Sequence, residues 1–406
     1  MMRAVVVDSV RTGIARAFQG DLRTTRSDDL AAHCFDALLE RNPGLPALSI
    51  DDCIVGCAFP EGTQGLNLAK NVAVLSKLGE TVPGCTISRY CASGLDAVAF
   101  AASRVVSGHA EGIIVGGVES VSLTLRTLNT VGLFNPRIAR KSPASYLQMN
   151  VAEPGVPFWK QAFRSMGATA EILAERYGIP REEQDAYAVA SQERTATAQR
   201  QCRFEAEIVP FNAEANDGAT LEVVRVASDS CARPDTTAAV LAALEPAFRQ
   251  DGTVTAGNAA PAADGAAACL VVSEALALRH QLQRLGYFLG YATVACEPAL
   301  MGSGPARAIP KLLAAHNLRL EQIDLLEVNE AFAVQVVYCL RTLGLGLERT
   351  NVNGGAISVG HPFGMTGVRL VGQLLRELRR RGGRFGVVAM CVGGGMGVAA
   401  LLEAAE

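Results

Sequence analysis

Ser88-Arg89-Tyr90-Cys91-Ala92-Ser93-Gly94-Leu95 is the stretch around which the chain is organised. Thr86 and Ile87 before it read as the end of a short strand. Val98, Ala101, Val105 and Val106 after it form the apolar stripe of a helix. A cysteine at a strand-to-helix turn lies among backbone N–H groups that have no intrahelical partner. Those groups and the helix dipole favour a thiolate, and they can hold a developing oxyanion. On this stretch alone an ordinary buried thiol is the simpler account of Cys91. Sequence near the other end of the chain changes that balance.

Working outward, Ala4-Val5-Val6-Val7-Asp8 reads as a first strand and Arg11-Thr12-Gly13 as a loop. Asp28 to Leu39 has helical periodicity, Ile54-Val55-Gly56 is a strand, and Asn67 to Leu78 reads as a helix. Gly112 to Gly117 is a buried strand ending in a glycine turn. Residues 123–165 read as irregular, broken by Pro136, Pro143, Pro154 and Pro157. So long an irregular segment belongs to a lid or binding region more often than to a core. Helices are expected from Thr169 to Tyr177 and from Arg181 to Arg203. The second follows Pro180 and carries Glu182, Glu183 and Asp185 in its first turns, which suits the dipole.

An internal echo organises the whole. Ser49 to Gly56 resembles Gln322 to Asn329, and at the same offset Gly94 and its helix meet Gly367, Val368, Leu370, Val371 and Leu374. A duplicated strand–helix unit predicts two similar α/β halves about a pseudo-twofold axis, with equivalent helix N-termini facing one another. The expected organisation is residues 1–121 and 251–273 as an N-terminal half, 122–250 as an inserted domain, and 274–406 as a C-terminal half.

The echo unites residues that are weak signals singly. Of five histidines, only His361 sits among glycines, in Val359-Gly360-His361-Pro362-Phe363-Gly364, just before a helix equivalent to that of Cys91. An imidazole there can take the Cys91 proton and hydrogen-bond a substrate oxygen. Cys391 precedes Val392-Gly393-Gly394-Gly395 at a strand end. Without a Walker lysine, that glycine turn does not read as a phosphate loop. Asn329-Glu330-Ala331-Phe332 places a polar pair at another strand end. Two cysteines, one histidine and one asparagine at equivalent ends of repeated units describe acyl transfer through a thioester.

These four segments resemble the active-site motifs of the thiolase family, and the resemblance runs over essentially the whole chain. Ser88 stands where Asn is commoner. The resemblance implies an α/β fold with duplicated halves in a five-layered αβαβα core, an inserted loop domain, and a homodimer or homotetramer. It implies Cys91 as acyl-accepting nucleophile, His361 as its activator, and Asn329 as holder of a water on the acetyl-CoA enolate. Cys391 is the implied acid and base, and the backbone N–H groups of Cys91 and Gly393 the oxyanion donors. Coenzyme A enters as substrate, with 3-oxoacyl-CoA and acetyl-CoA; no metal or tightly bound cofactor is implied. The loop domain would cover CoA, with Ser165, Met166, Ala260, Met301 and Phe332 as candidate contacts. Ala260 replaces an expected serine, Ala263 replaces a polar residue, and Met301 reads equally well as core.

Direction is not set by these motifs. Ser165 stands where acetoacetyl-specific synthetic members usually have histidine, and Arg233-Pro234-Asp235-Thr236-Thr237 resembles a degradative-type segment. Phe363 resembles members acting on longer chains. These favour a 3-ketoacyl-CoA thiolase of β-oxidation type over an acetoacetyl-CoA thiolase, and leave association with other β-oxidation enzymes possible. A non-catalytic acyl-CoA or lipid carrier would not need both cysteines, His361 and Asn329. A decarboxylating condensing enzyme usually has a single cysteine, whereas this chain adds Cys391.

Bulk properties fit. The 406 residues are 49% hydrophobic with a net charge of -3, so nothing steers the protein to nucleic acid. Eleven irregularly spaced cysteines make no disulfide framework, and Cys53 and Cys57 lack the partners of a zinc site. Met1-Met2-Arg3 runs directly into strand-like sequence rather than a secretory leader, and no apolar run suits a membrane span. A reducing, cytoplasmic setting is expected.

Overall fold

A computed structural model describes residues 2–127, 165–216 and 221–405. The first half holds β1 (Ala4–Arg11), β2 (Ala15–Arg16), α1 (Ser27–Arg41), β3 (Asp52–Gly56), α2 (Leu68–Leu75), β4 (Gly84–Ile87), α3 (Ser93–Val106) and β5 (Gly112–Ser120). Then come α4 (Val121–Thr127), α5 (Met166–Tyr177), α6 (Arg181–Arg200), the hairpin β6 (Phe211–Asn216) and β7 (Leu221–Val226), and α7 (Ala238–Ala242). β8 (Ala263–Ser273) returns the chain to the large sheet. After α8 (Glu274–Arg279) follow β9 (Gly286–Ala295), α9 (Gly304–Ala315), β10 (Leu325–Val328), α10 (Ala333–Leu343), α11 (Ala356–Val359), α12 (Phe363–Arg381), β11 (Phe385–Val392) and β12 (Met396–Ala404).

The strand order is β10-β11-β12-β9-β1-β8-β5-β3-β4, with β2 beside β8. Within it the echo is literal. β3 runs parallel to β5, β5 antiparallel to β8, and β8 antiparallel to β1. Likewise β10 runs parallel to β11, β11 antiparallel to β12, and β12 antiparallel to β9. Even β4 has a trace in the second half, where Leu326 pairs in parallel with Thr350. The halves join where Ala4, Val5 and Val6 meet Phe288, Tyr287 and Gly286.

Strands buried on both faces send alternate side chains into different cores. On β1, Ala4 and Val6 enter a central core, while Val5 and Val7 pack outward with Leu30 and Phe35 of α1. On β11, Val388, Met390 and Val392 face the same central core. Val387, Ala389 and Cys391 face outward with Ile309 of α9 and Val334 of α10. Helices α3 and α12 therefore form a middle layer between two sheet halves, with α1 and α2 outside one and α9 and α10 outside the other. This is the five-layered αβαβα arrangement.

Element boundaries differ from expectation where polar groups find partners. β1 runs on to Arg11, which reads as a loop in sequence. There its buried guanidinium bonds Glu207 at 2.6 Å and Asp229 at 2.6 and 2.9 Å. α5 starts at Met166 because the Ser165 hydroxyl accepts from the Ala168 N–H at 3.2 Å. Residues 121–127 are helical rather than irregular, and residues 128–164 of the expected irregular segment lie outside the described residues. Among the described residues no helix is long and apolar enough to cross a membrane.

Candidate active site

Cys91 lies in a single 3-10 turn, Tyr90–Ala92, directly before α3. The turn is held by Ser93, whose hydroxyl accepts from the Arg89 N–H at 2.9 Å and donates to the Tyr90 carbonyl at 2.6 Å. Arg89 in turn pairs with Asp96. Tyr90 is in the left-handed region at φ 45°, a conformation that costs a non-glycine residue energy. The backbone N–H groups of Gly393 and of Cys91 itself converge on the Cys91 sulfur. Burial nevertheless pushes that thiol up to about 11, with the Gly393 amide acting against the rise and Glu119 adding to it. The sequence argument from the helix N-terminus expects a thiolate; in the resting structure burial wins and Cys91 is a thiol.

His361 is buried one residue ahead of the Pro362 N-cap of α12. Its Nε2 lies 3.2 Å from Asn329 Nδ2 and its Nδ1 2.7 Å from Thr366 Oγ1. Burial and the Arg369 charge hold its pKa down to about 3, so the imidazole is neutral. Asn329 Oδ1 is buried with no partner, an acceptor aimed at nothing in the protein. Sequence reasoning missed Thr366, whose part lies in the hydroxyl bonds it makes to the Pro362 carbonyl and His361 Nδ1, which the sequence does not display.

Cys391 is the penultimate residue of β11, and Gly394 and Gly395 turn the chain into β12, both at φ 83°, a region open to glycine. Burial raises the Cys391 thiol well above its ordinary value, and charge on Cys91 raises it further, so the two sulfurs are electrostatic neighbours. Gly393 sits between Met166 and Tyr90: a Cβ there would lie 3.3 Å from Met166 Sδ and 4.0 Å from Tyr90 Cδ2. Tyr90, Phe59, Phe363 and His361 form a chain of ring contacts at 6.2, 5.9 and 5.1 Å, linking the Cys91 turn to the histidine.

One extended segment stitches the remaining parts. Ala259 bridges Phe332, the Ala260 N–H donates to the Ala331 carbonyl at 3.0 Å, and the His361 N–H donates to Pro261 at 3.1 Å. Ala260 is thus a backbone tie beside Asn329 and His361. Phe332 is buried edge-on to Phe248 at 6.1 Å, and Phe248 fills the space above Gly167. Ser165 is engaged in capping α5, and Met301 is buried in the outer core. Glu330 accepts from Tyr187 at 2.7 Å, Ser191 at 2.8 Å and the Ile357 N–H at 3.1 Å, tying α6 to α11 rather than facing the cysteines.

Glu119 is a second residue the sequence reading passed over, a carboxylate at the end of a wholly buried strand. It accepts from the Ala58 and Gly364 N–H groups at 2.9 Å and from Gln64 Nε2 at 2.7 Å. It thereby fastens the loop after β3 to the first turn of α12.

Comparison with known proteins fits this arrangement. Residues 4–275 match the thiolase N-terminal domain and residues 282–404 the thiolase C-terminal domain. A 3-ketoacyl-CoA thiolase of Bacillus subtilis is 43% identical over 99% of this chain and 100% of its own length. A beta-ketoadipyl-CoA thiolase of Acinetobacter baylyi is 40% identical with the same coverage. The crystal structure of human mitochondrial 3-ketoacyl-CoA thiolase in complex with CoA superposes with a TM-score of 0.86 at 33% identity, covering 100% of this chain and 98% of that one. The chain belongs to the thiolase family, and its chemistry is thiolase acyl transfer.

Proposed function

We propose that this enzyme cleaves 3-oxoacyl-CoA with CoA, giving acetyl-CoA and a shortened acyl-CoA, through an acyl group on Cys91. The observation that carries the assignment is the convergence of the Gly393 and Cys91 amides on the Cys91 sulfur, with the Cys391 thiol near enough to feel charge on Cys91. Cys91 gives its proton to His361 Nε2 as its sulfur attacks the 3-oxo carbon. With a thiol near 11 and a neutral imidazole, the two do not form an ion pair beforehand; proton transfer accompanies attack.

The tetrahedral oxyanion rests on the two amides. Its collapse breaks the carbon–carbon bond and leaves the electron pair on the acetyl-CoA enolate. His361 and a water taken up by the free Asn329 Oδ1 hold the enolate oxygen, and Cys391 protonates the carbon. The Cys391 thiolate then takes the proton of incoming CoA, whose sulfur attacks the acyl-Cys91 thioester. Cys91 leaves and recovers its proton from His361.

For CoA, Met166, Phe332 and the neighbouring Phe248 offer an apolar wall for pantetheine, with residues 122–250 as the covering domain. Arg16 and Arg233 are close enough that Arg16 opposes the Arg233 charge, and neither has a carboxylate partner among the described residues. Such a pair suits the CoA phosphates. The Ser165 and Ala260 side chains contribute shape rather than hydrogen bonds, since Ser165 is engaged in capping and Ala260 is apolar. We further propose a cytoplasmic homodimer or a tetramer built on it, joined at the free edge of β4, which light scattering would report.

The aromatic series Tyr90, Phe59 and Phe363 favours longer acyl chains over acetoacetyl. Thiolysis of a 3-oxoacyl-CoA of six or more acyl carbons should match or exceed that of acetoacetyl-CoA in kcat/KM. Roughly a hundredfold preference for acetoacetyl-CoA, about 2.7 kcal/mol at the transition state, would instead favour an acetoacetyl-CoA thiolase.

A further inference from the structure

The Thr366 hydroxyl lies 2.9 Å from the Pro362 carbonyl oxygen, four residues back on α12, and 2.7 Å from His361 Nδ1. A carbonyl can only accept, so the single hydroxyl proton is spent on Pro362. The Thr366 oxygen then has only lone pairs to offer His361, and Nδ1 must carry the imidazole proton. Nε2 is left as the basic atom and receives the Asn329 amide N–H at 3.2 Å. The donors run one way, from Asn329 to His361 to Thr366 to Pro362. Thr366 and His361 are both buried, where no bulk water can substitute for the hydroxyl.

We propose that Thr366 is a positioning residue that fixes His361 in the Nδ1–H tautomer, with Nε2 presented to the reacting sulfur and oxygen. The proposal rests on the reading of His361 as the Cys91 activator. Its own geometry is set by the fold. Thr366 precedes Gly367, whose missing side chain admits the backbone of α3 at Leu95, so α12 cannot rotate about its axis without a clash. The rotation of α12 fixes the hydroxyl, and the hydroxyl fixes the ring. The other tautomer would leave Nδ1 and the Thr366 oxygen as facing acceptors. It would also put a proton on Nε2, where the Cys91 proton has to go.

The test uses the intact enzyme. In ¹⁵N-histidine-labelled protein the His361 signal, identified by its absence from His361→Asn, should show a protonated Nδ1 and an unprotonated Nε2 at neutral pH. Thr366→Val, which keeps shape and loses the hydroxyl, should lower kcat by about 10–100-fold, less than the 10²–10⁴-fold that an acid–base group itself typically contributes. Its KM should stay within about threefold. Thr366→Ser should recover kcat to within about threefold. An Nε2–H tautomer in the wild-type protein would overturn the proposal, without need of any variant. So would wild-type kcat in Thr366→Val, or Thr366→Ser being as impaired as Thr366→Val. Loss of thiolysis in His361→Asn is a separate measurement. If it failed to appear, the role of His361 would fall while the tautomer result stood.

Discussion

Gly94 on α3 and Gly367 on α12, 273 positions apart in the chain, each receive the other helix's backbone where a side chain would stand. A Cβ on Gly94 would collide with the Gly364 carbonyl oxygen, and one on Gly367 with the Leu95 amide nitrogen. The two glycines are the same position of the duplicated unit. They bring the N-termini of the two central helices together, and with them Cys91 and His361. Burial of α3 and α12 against both sheet halves drives the approach, each fully buried valine or leucine contributing about 1.5–3 kcal/mol. The glycines decide how close it becomes.

Gly94→Ala and Gly367→Ala should each destabilise the protein by about 1–3 kcal/mol, the cost of overpacking a close-packed core. The obstructing atoms are backbone and cannot swing aside. Because one displacement of α12 from α3 relieves both clashes, the double variant should cost less than the sum of the singles. Urea denaturation of the three variants measures this. A single variant within about 0.5 kcal/mol of wild type would show that the crossing has slack.

The crossing was legible in the sequence, since the offset that aligns Ser49–Gly56 with Gln322–Asn329 also aligns these glycines. The four motif segments likewise carry Cys91, His361, Asn329 and Cys391 on their face. Three features are not legible, for different physical reasons. Thr366 matters through the direction of its hydroxyl bond, which spacing does not convey. Phe248 lies against Phe332 only because the chain returns from the inserted residues. Arg11 reads as a loop residue until Glu207 and Asp229, far along the chain, are seen to satisfy it inside the sheet.

The ionisation of Cys91 shows a case where two legible effects oppose. A helix N-terminus stabilises a negative charge by typically 0.3–1 kcal/mol, about 2 at most, which lowers a pKa by well under two units. Burial can raise one by up to 3–5 units. The larger effect prevails, and the thiol sits near 11. Because its pKa is raised, the thiolate fraction is small at neutral pH and grows as pH rises towards that value. Alkylation of Cys91 by iodoacetamide in the free enzyme should therefore climb about tenfold per pH unit from pH 7 to 10. Peptide mass spectrometry separates Cys91 from the other cysteines. A plateau by pH 8 would reveal a preformed thiolate–imidazolium pair and refute the neutral resting state.

The two cysteines should separate by step. Cys91→Ser should abolish both acyl-enzyme formation and thiolysis, because a serine hydroxyl is far less ionised than a thiol near neutral pH. Cys391→Ser should behave differently. The acyl-enzyme needs Cys91, His361 and the oxyanion amides, whereas cleavage also needs a proton delivered to the enolate carbon. A positioned proton donor contributes typically 10²–10⁴-fold, so thiolysis by Cys391→Ser should fall by about 3–5 kcal/mol in barrier terms. The same variant should still acquire an acetyl group slowly on Cys91 from labelled acetyl-CoA. Since Cys391 also takes the proton of incoming CoA, that label should leave slowly when CoA is added. Peptide mass spectrometry of the labelled protein, beside steady-state thiolysis, reads both halves. Acetyl found on Cys391 rather than Cys91 would exchange the two roles, and wild-type thiolysis by Cys391→Ser would remove the second cysteine from the proton path altogether.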